Sequence, residues 1–266
     1  MTPDGILFDV DDTLVDTKGA FARALAAVRA EYMPHVPPER EPEILAHWRT
    51  DPGGFYRRYT RGEMDHVTQR RLRAELLHET FGAAPVTQSS FEAWDALFWG
   101  TFEKSWTAHD DARAALDDAV AAGIRVGVVT NAATELQERK LKLAGLADLP
   151  VHVGVDTLGF GKPDPRVFLE GARLLGTEPA RTAYVGDEPT VDALAARQAG
   201  LTGVWLDRVG HRRGPGYEGS PAPDGGVRDV QDPAAMRAAG VLVIETLAEL
   251  PAALGYTAGQ GMARGR

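Results

Sequence analysis

The 266-residue chain contains no cysteine. It can therefore form no disulfide, no thiolate zinc site and no thiol nucleophile. The sequence also lacks an apolar run of the ~18 residues that a membrane-spanning helix requires. Its first residues have neither the basic start nor the apolar stretch of a secretion signal. We therefore expect a cytoplasmic protein that has no membrane partner.

Positive charge is scarce as well. The chain has 29 Lys and Arg residues but 38 Asp and Glu residues, which gives a formal net charge of -9. No sequence-wide positive field exists to attract a nucleic-acid backbone. The content of 44% hydrophobic and 25% charged residues is typical of a globular protein. We expect a small-molecule partner and no nucleic acid, and the sequence does not indicate an oligomeric state.

Short apolar segments rich in β-branched residues recur along the chain and predict buried parallel strands. They cover residues 5–8, 124–129, 151–155, 183–185, 203–206 and 241–244. Segments in which Ala and Leu have helical spacing lie between several of them, at residues 112–122, 135–144, 165–175 and 190–199. Because strands and helices alternate, the sequence predicts an α/β fold built on a doubly wound parallel sheet.

Residues 17–108 interrupt this alternation. They include helix-period segments at 20–31 and 67–81 but no pattern of a buried strand. We therefore predict a helical insert at 17–108 in a core made of residues 1–16 and 109–266. Residues 208–233 are rich in Gly, Pro, Arg and Asp, which predicts a long surface loop of unassigned role.

The first predicted strand ends in a group of carboxylates, Asp9, Asp11 and Asp12. The carboxyl ends of parallel strands line the ligand crevice of an α/β sheet. Asp9 and Asp11 would therefore stand at the mouth of a site, where carboxylates suit a hard cation. Taken alone, this segment is also compatible with an acidic turn or a helix cap.

Two later segments place polar side chains at the corresponding ends of other predicted strands. Thr130 and Asn131 follow a predicted strand where a helix begins, so a hydroxyl, an amide and helix-start N–H groups could hold phosphate oxygens together. Lys162 precedes a proline, which favours an extended backbone and a fixed direction for the ammonium group. Individually these residues could be an ordinary N-cap and a solvated loop lysine.

The fourth segment places Asp187 and Asp192 after a strand that ends in glycine. Asp187 could be a metal ligand, and Asp192 could bond Lys162 or a metal-bound water. The alternative is that both are helix-start acids favoured by the helix dipole. Because all four segments fall at strand ends in chain order, together they favour a single site for a metal ion and a phosphate group.

This ordered set of motifs resembles the haloacid dehalogenase-like (HAD) hydrolase superfamily. The insert is similar to the α-helical cap of the members that carry a cap directly after the first motif. Asp12 replaces a frequent glycine of that family, and Glu188-Pro189 replaces small polar residues. The matching motifs are the DxDxT of Asp9, Asp11 and Thr13, the pair Thr130-Asn131, Lys162 in Gly-Lys-Pro, and the GDxxxxD of Asp187 and Asp192.

The resemblance implies a Rossmann-like core, an Mg²⁺ cofactor and a phosphatase reaction. In that reaction Asp9 forms an aspartyl-phosphate, and Asp11 acts as general acid and then as general base. The resemblance also implies the ligand sets. The metal ligands would be Asp9, Asp11 through its backbone carbonyl, and Asp187, with Asp192 in the outer shell, and the phosphate would be held by Thr130, Asn131 and Lys162.

The resemblance leaves alternatives within and outside the family. The carboxylate of Asp11 argues against a dehalogenase, whose leaving group needs no proton donor. A sugar phosphomutase is the alternative enzyme, although residues 16–21 lack the histidine of the well-known mutases. A non-catalytic receiver-like protein that binds Mg²⁺ and phosphate would need no insert. The sequence thus predicts a phosphatase for a small phosphorylated metabolite, such as a sugar phosphate, a phosphoglycolate-like compound or a nucleotide monophosphate.

Overall fold

The computed structural model describes residues 2–60, 62–208 and 231–258. Residues 209–230 of the predicted surface loop therefore lie outside the described part of the chain. The sheet has six parallel strands in the order β3-β2-β1-β4-β5-β6. Their bounds are β1 Gly5–Phe8, β2 Arg125–Val129, β3 Val151–Val153, β4 Thr182–Gly186, β5 Thr202–Leu206 and β6 Leu242–Ile244.

Strand β1 lies in the middle of the sheet and pairs with β2 on one side and β4 on the other. All four of its residues are buried, as expected for a strand covered on both faces. Leu7 lies opposite Gly127 of β2 and Tyr184 of β4. The segments that follow these three strands therefore meet at one edge of the sheet, and the predicted doubly wound α/β fold is confirmed.

The segment after β1 is helical. It contains a short 3₁₀ helix, Pro38–Arg40, and the described residues between 17 and 106 contain no strand. Asp65 caps one of these helices, because its carboxylate accepts hydrogen bonds from the backbone N–H groups of Val67 and Thr68 at 2.9 and 2.8 Å. The helices are α1 Thr17–Tyr32, α2 Glu41–Thr50, α3 Phe55–Thr60, α4 His66–Thr80 and α5 Gln88–Lys104.

Aromatic side chains form the interior of this helical segment. The buried residues Phe91, Trp94, Phe98 and Phe102 recur every three to four positions along α5 and share one helix face. Trp94 donates its indole N–H to Nε2 of His78 at 3.0 Å, so Nδ1 of His78 carries the proton that is shared with the Ala84 carbonyl at 2.7 Å. Burial lowers the pKa of His78, which favours this neutral form.

The remaining helices pack around the sheet. Helix α9 begins after Asp164, whose side chain accepts from Arg166 N at 3.0 Å, and it ends at Gly176 with φ of 74°. Its bounds are those predicted from the sequence. The helices are α6 Ala112–Ala121, α7 Thr134–Leu143, α8 Val155–Leu158, α9 Pro165–Leu175, α10 Ala195–Gln198, α11 Pro233–Ala238 and α12 Leu250–Leu254.

The helix predicted at 190–199 begins instead as a π-helix, Pro189–Leu194, which precedes α10. Within this wider turn the Asp192 carboxylate accepts a hydrogen bond from Glu188 N at 3.0 Å. Such π segments are rare and often occur at functional sites. The residues after β4 thus fold back toward the sheet edge.

The described residues divide into two compact units. One comprises residues 2–16, 107–208 and 231–258 and contains the sheet. The other begins at Thr17, ends at Trp106 and contains helices α1 to α5. In the described part of the chain, no helix has both the length and the apolar character needed to cross a membrane.

Candidate active site

Polar side chains collect at the carboxyl edge of the sheet. Asp9 follows β1, Thr130 follows β2, and Asp187 follows β4. Because β1 lies between the other two strands and all three are parallel, these residues emerge side by side. The loop that contains Lys162 joins them just before α9.

Lys162 is the centre of the buried network. Its ammonium nitrogen Nζ lies 2.7 Å from Oδ1 of Asp9, 2.7 Å from Oδ1 of Asp192 and 2.8 Å from the hydroxyl oxygen of Tyr184. Three acceptors use all three ammonium hydrogens. Burial alone would lower the pKa of Lys162, but the charges of Asp192 and Asp9 outweigh it and the pKa lies well above its ordinary value. Lys162 is therefore a permanent cation in this site.

The pKa of Asp9 is raised as well, which for a carboxyl group favours the neutral form. Burial raises its pKa to about 7, while Lys162 opposes the rise and the charges of Asp192 and Asp11 add to it. Its backbone N–H donates to the Val185 carbonyl at 2.9 Å, which ties the residue to β4. A carboxyl group with such a pKa loses its proton readily when a further cation approaches.

Three carboxylates are placed so that they can hold a metal ion. Asp9, Asp187 and Asp192 each offer one oxygen, and these oxygens lie within 4.8 Å of one another. Carboxylate oxygens are the ligands that Mg²⁺ prefers, and three carboxylates beside one ammonium leave an excess of negative charge. The backbone oxygen of Asp187 accepts the indole N–H of Trp205 at 2.9 Å, which fixes the position of this residue.

Asp192 differs from the other two carboxylates. Its Oδ1 accepts from Lys162, and its Oδ2 accepts from Glu188 N at 3.0 Å. A Cβ atom on Gly186 would lie 2.3 Å from Oδ2 of Asp192, so only glycine leaves room for this carboxylate. Asp192 is thus built into the network that surrounds Asp9 and Lys162.

Asn131 clamps the loop that carries Lys162. Its Oδ1 accepts from Lys162 N at 2.6 Å, and its Nδ2 donates to the Lys162 carbonyl at 2.9 Å. A Cβ atom on Gly161 would lie 2.3 Å from Oδ1 of Asn131, so glycine permits this close approach. Nδ2 has a second hydrogen that remains available for a ligand.

Thr130 is buried at the end of β2, with 2% of its surface exposed. Its Oγ1 accepts from Nε2 of Gln137 at 3.0 Å and from Ala132 N at 3.2 Å. Since both neighbours are donors, the O–H hydrogen of Thr130 is directed elsewhere and can serve an anionic ligand. This geometry is compatible with the predicted phosphate contact.

The carboxylate of Asp11 is held by helix α7 rather than by the cluster of Asp9, Asp187 and Asp192. Nε2 of Gln137 donates to Oδ2 of Asp11 at 2.7 Å, and Nζ of Lys140 forms an ion pair with Oδ1. The loop just beyond β1 turns at Asp12, whose φ of 61° is left-handed. Aspartate tolerates that conformation better than most residues, which accounts for its presence in place of glycine.

Sequence reasoning missed Tyr184, Gln137 and Lys140. Tyr184 interrupts an aliphatic strand and donates its O–H to the Val129 carbonyl at 2.8 Å. Gln137 and Lys140 lie on the same face of α7 as buried Leu141, at positions where an apolar residue is expected. A polar side chain within an apolar pattern was therefore the available signal in each case.

Comparison with known proteins relates this site to enzymes. The model of the haloacid dehalogenase-like hydrolases matches residues 3–200, and a HAD-hydrolase-like model matches residues 159–250. The chain is 29% identical over 227 residues to phosphoserine phosphatase of Thermus thermophilus, a match that covers 76% of this chain and 88% of that protein. It is 30% identical over 223 residues to phosphoglycolate phosphatase of Rhodospirillum rubrum, with 80% and 83% covered.

Solved structures show the same fold. The HAD-hydrolase YfnB from Bacillus subtilis, bound to magnesium, is similar with a TM-score of 0.66 and 21% identity. That comparison covers 96% of this chain and 99% of the other. The resemblance inferred from the motifs is therefore confirmed by sequence and by structure.

Proposed function

Because the chain belongs to the haloacid dehalogenase-like hydrolase family, we propose that it is an Mg²⁺-dependent phosphatase that hydrolyses a small phosphorylated metabolite through a phosphorylated Asp9. The observation that carries this proposal is the buried network in which Lys162 bonds both Asp9 and Asp192 at 2.7 Å beside Asp187. This network supports the proposal because it brings a candidate nucleophile, a buried cation and three carboxylates that could hold a metal ion to one sheet edge.

The carboxylates fit a resident Mg²⁺ ion. Asp9 and Asp187 would hold it together with the backbone carbonyl of Asp11, and Asp192 suits the outer shell because both its oxygens already accept hydrogen bonds. When bound, the ion neutralises negative charge and polarises the phosphate oxygens, so that an anionic nucleophile can approach phosphorus.

Asp9 would perform the first displacement. One of its carboxylate oxygens attacks phosphorus in line, a P–O bond forms to Asp9, and the P–O bond to the substrate alcohol breaks. Lys162 holds Oδ1 of Asp9 at 2.7 Å and thereby limits rotation of the nucleophile. Proximity and fixed orientation of this kind supply much of the rate in such a step.

Asp11 would act as the general acid and then as the general base. Its carboxylic acid form donates a proton to the departing alcohol, and the carboxylate that remains then accepts one from the water that attacks phosphorus of the aspartyl-phosphate. Breaking the bond between phosphorus and Asp9 regenerates the free carboxylate and releases inorganic phosphate. The carboxylate of Asp11 is partly exposed, as a group that meets the substrate must be.

Thr130, Asn131 and Lys162 would stabilise the transferred phosphoryl group. Thr130 offers its hydroxyl hydrogen and Asn131 the second hydrogen on Nδ2, while Lys162 contributes its positive charge. Charge in phosphoryl transfer is spread over the three equatorial oxygens, and such donors provide most of the catalysis.

We assign the catalytic core to residues 1–16 and 109–266 and a substrate-selecting cap to residues 17–108. The helices α1 to α5, which directly follow strand β1, support this assignment. The names of the two relatives, phosphoserine phosphatase and phosphoglycolate phosphatase, support a small phosphorylated metabolite as the class of substrate.

A panel of phosphorylated metabolites tests the proposal. The purified protein is incubated with sugar phosphates, phosphoglycolate-like compounds and nucleotide monophosphates, and released phosphate is measured with Mg²⁺ or with EDTA. We expect many turnovers on at least one compound with Mg²⁺ and none with EDTA or with the Asp9→Asn variant. A single stoichiometric phosphorylation would instead indicate a receiver-like protein, and isomerised product without free phosphate would indicate a mutase.

A further inference from the structure

Helix α7 presents two buried polar side chains to Asp11. Gln137 has 0% and Lys140 has 3% of its surface exposed. We propose that Gln137 and Lys140 are positioning residues: they hold the Asp11 carboxyl group in the orientation required for proton transfer to the leaving alcohol, and the Lys140 ammonium stabilises the carboxylate that remains once the proton has left. This inference rests on the proposed phosphatase function.

Gln137 joins two parts of the site. Its single Nε2 atom donates to Oδ2 of Asp11 at 2.7 Å and to Oγ1 of Thr130 at 3.0 Å. The two hydrogens of one side-chain amide are thus shared between the proposed acid and a proposed phosphate-binding hydroxyl. The planar amide of Gln137 therefore fixes the distance between the Asp11 carboxyl group and the Thr130 hydroxyl.

Lys140 holds the other oxygen of the same carboxylate, because its Nζ pairs with Oδ1 of Asp11. With both oxygens engaged from one helix, the carboxylate cannot turn about its bond to Cβ. Rotational freedom is what a general acid must lose before it can deliver a proton along a defined line.

The two side chains of the ion pair between Lys140 and Asp11 are buried to different extents. The Lys140 side chain is 4% exposed, whereas the Asp11 side chain is 36% exposed. A buried ammonium group costs free energy of desolvation, which a surface helix would avoid by extending the lysine into water. Here the cost falls on the lysine, and the carboxylate keeps an open face from which it can reach a substrate.

A purely structural role makes different predictions. If the pair only fastens α7 to the loop after β1, its loss would lower the unfolding temperature and reduce turnover of every substrate alike. If the pair positions a proton donor, its loss matters most when the departing alkoxide is basic. The dependence of rate on the leaving group therefore separates the two roles.

The test compares Lys140→Met and Gln137→Leu with the matched control Lys142→Met, which removes an exposed lysine from the same helix. The kcat and KM are measured for p-nitrophenyl phosphate and for an alkyl phosphate, with thermal unfolding alongside. For Lys140→Met we expect kcat on the alkyl phosphate to fall roughly 10-fold more than on p-nitrophenyl phosphate, with KM changed less than about 3-fold. The control should match the parent protein.

Double variants complete the test. On an Asp11→Asn background, Lys140→Met should change kcat by less than about 2-fold, because the charged group that Lys140 positions is gone. Equal losses on both substrates, or full additivity with Asp11→Asn, would overturn the inference. If the parent protein turned over neither substrate, the proposed function itself would fail instead. Should Lys140→Met not fold, Gln137→Leu provides the same comparison.

Discussion

Replacing Lys162 with methionine removes an ammonium group that lies among buried acids. Lys162→Met keeps the length of the side chain but deletes the charge that contacts Asp9, Asp192 and the hydroxyl of Tyr184. The side chains of Asp9 and Asp192 are 8% and 2% exposed, so water cannot replace the lost partner. Breaking a buried ion pair in this way costs about 3–5 kcal/mol.

The loss of unfolding free energy in Lys162→Met should increase with pH. The rise of the Asp9 pKa from 3.8 to about 7 means that ionising this group costs the folded state about 4 kcal/mol when no cation is bound. This cost is absent below the unfolded pKa and is fully present above the folded one. Since Lys162 opposes the rise, its removal raises the Asp9 pKa further, and stability should fall more steeply as pH increases.

Thermal unfolding at pH 5.5 and pH 8, with and without Mg²⁺, measures this effect. At pH 8 without metal, the expected loss corresponds to a Tm lower by roughly 6–20 °C. The difference from the parent protein should shrink at pH 5.5, and Mg²⁺ should recover part of it. Lys142→Met is the control for loss of a lysine. A Lys162→Met protein with parental Tm at pH 8 would refute the network as described.

Further predictions concern the same site. Asp9→Asn should abolish turnover while the protein still folds, because the amide cannot act as the nucleophile; measurable multiple turnover by this variant would exclude the mechanism. The Mg²⁺ concentration for half activity should rise by up to about tenfold per pH unit below 7, since the metal and a proton compete for Asp9, whereas a pH-independent requirement would argue against Asp9 as a ligand. Asp187→Ala should raise that concentration at constant pH, and an unchanged Mg²⁺ titration would remove Asp187 from the ligand set. Tyr184→Phe should cost about 1–2 kcal/mol of unfolding free energy because the Val129 carbonyl and the Lys162 ammonium each lose a partner, and denaturant unfolding at parental stability would contradict those bonds.

The sheet could be predicted because its strands are buried on both faces. Short apolar runs such as Gly5–Phe8, when they alternate with helical segments, predict buried strands of a parallel sheet. Helix α9 could be placed at Pro165–Leu175 because Asp164 and Gly176 mark its ends locally. Both cases depend on signals within a few residues of the element.

Other parts of the fold and site were not predicted individually. The buried face of α5 consists of Phe91, Trp94, Phe98 and Phe102, whose spacing of three to four residues is a local helical signal. Gln137 and Lys140 lie 126 and 129 positions from Asp11. Their place in an apolar pattern could mark them as unusual, but the sequence alone could not show that Asp11 is their partner. Asp9, Lys162 and Asp192 could be grouped in advance because each follows or precedes a recognisable strand or helix end.

The central claim is that Asp9 becomes phosphorylated during turnover. Rapid acid quench of the protein with substrate and Mg²⁺, followed by borohydride reduction, converts a phosphorylated aspartate to homoserine, which peptide mapping can locate. The mechanism predicts homoserine at position 9 alone, and only when both substrate and Mg²⁺ are present. With p-nitrophenyl phosphate, whose leaving group needs little protonation, the fraction should be larger for Asp11→Asn because water attack is slowed. Homoserine at another aspartate, or none during sustained phosphate release, would contradict the account.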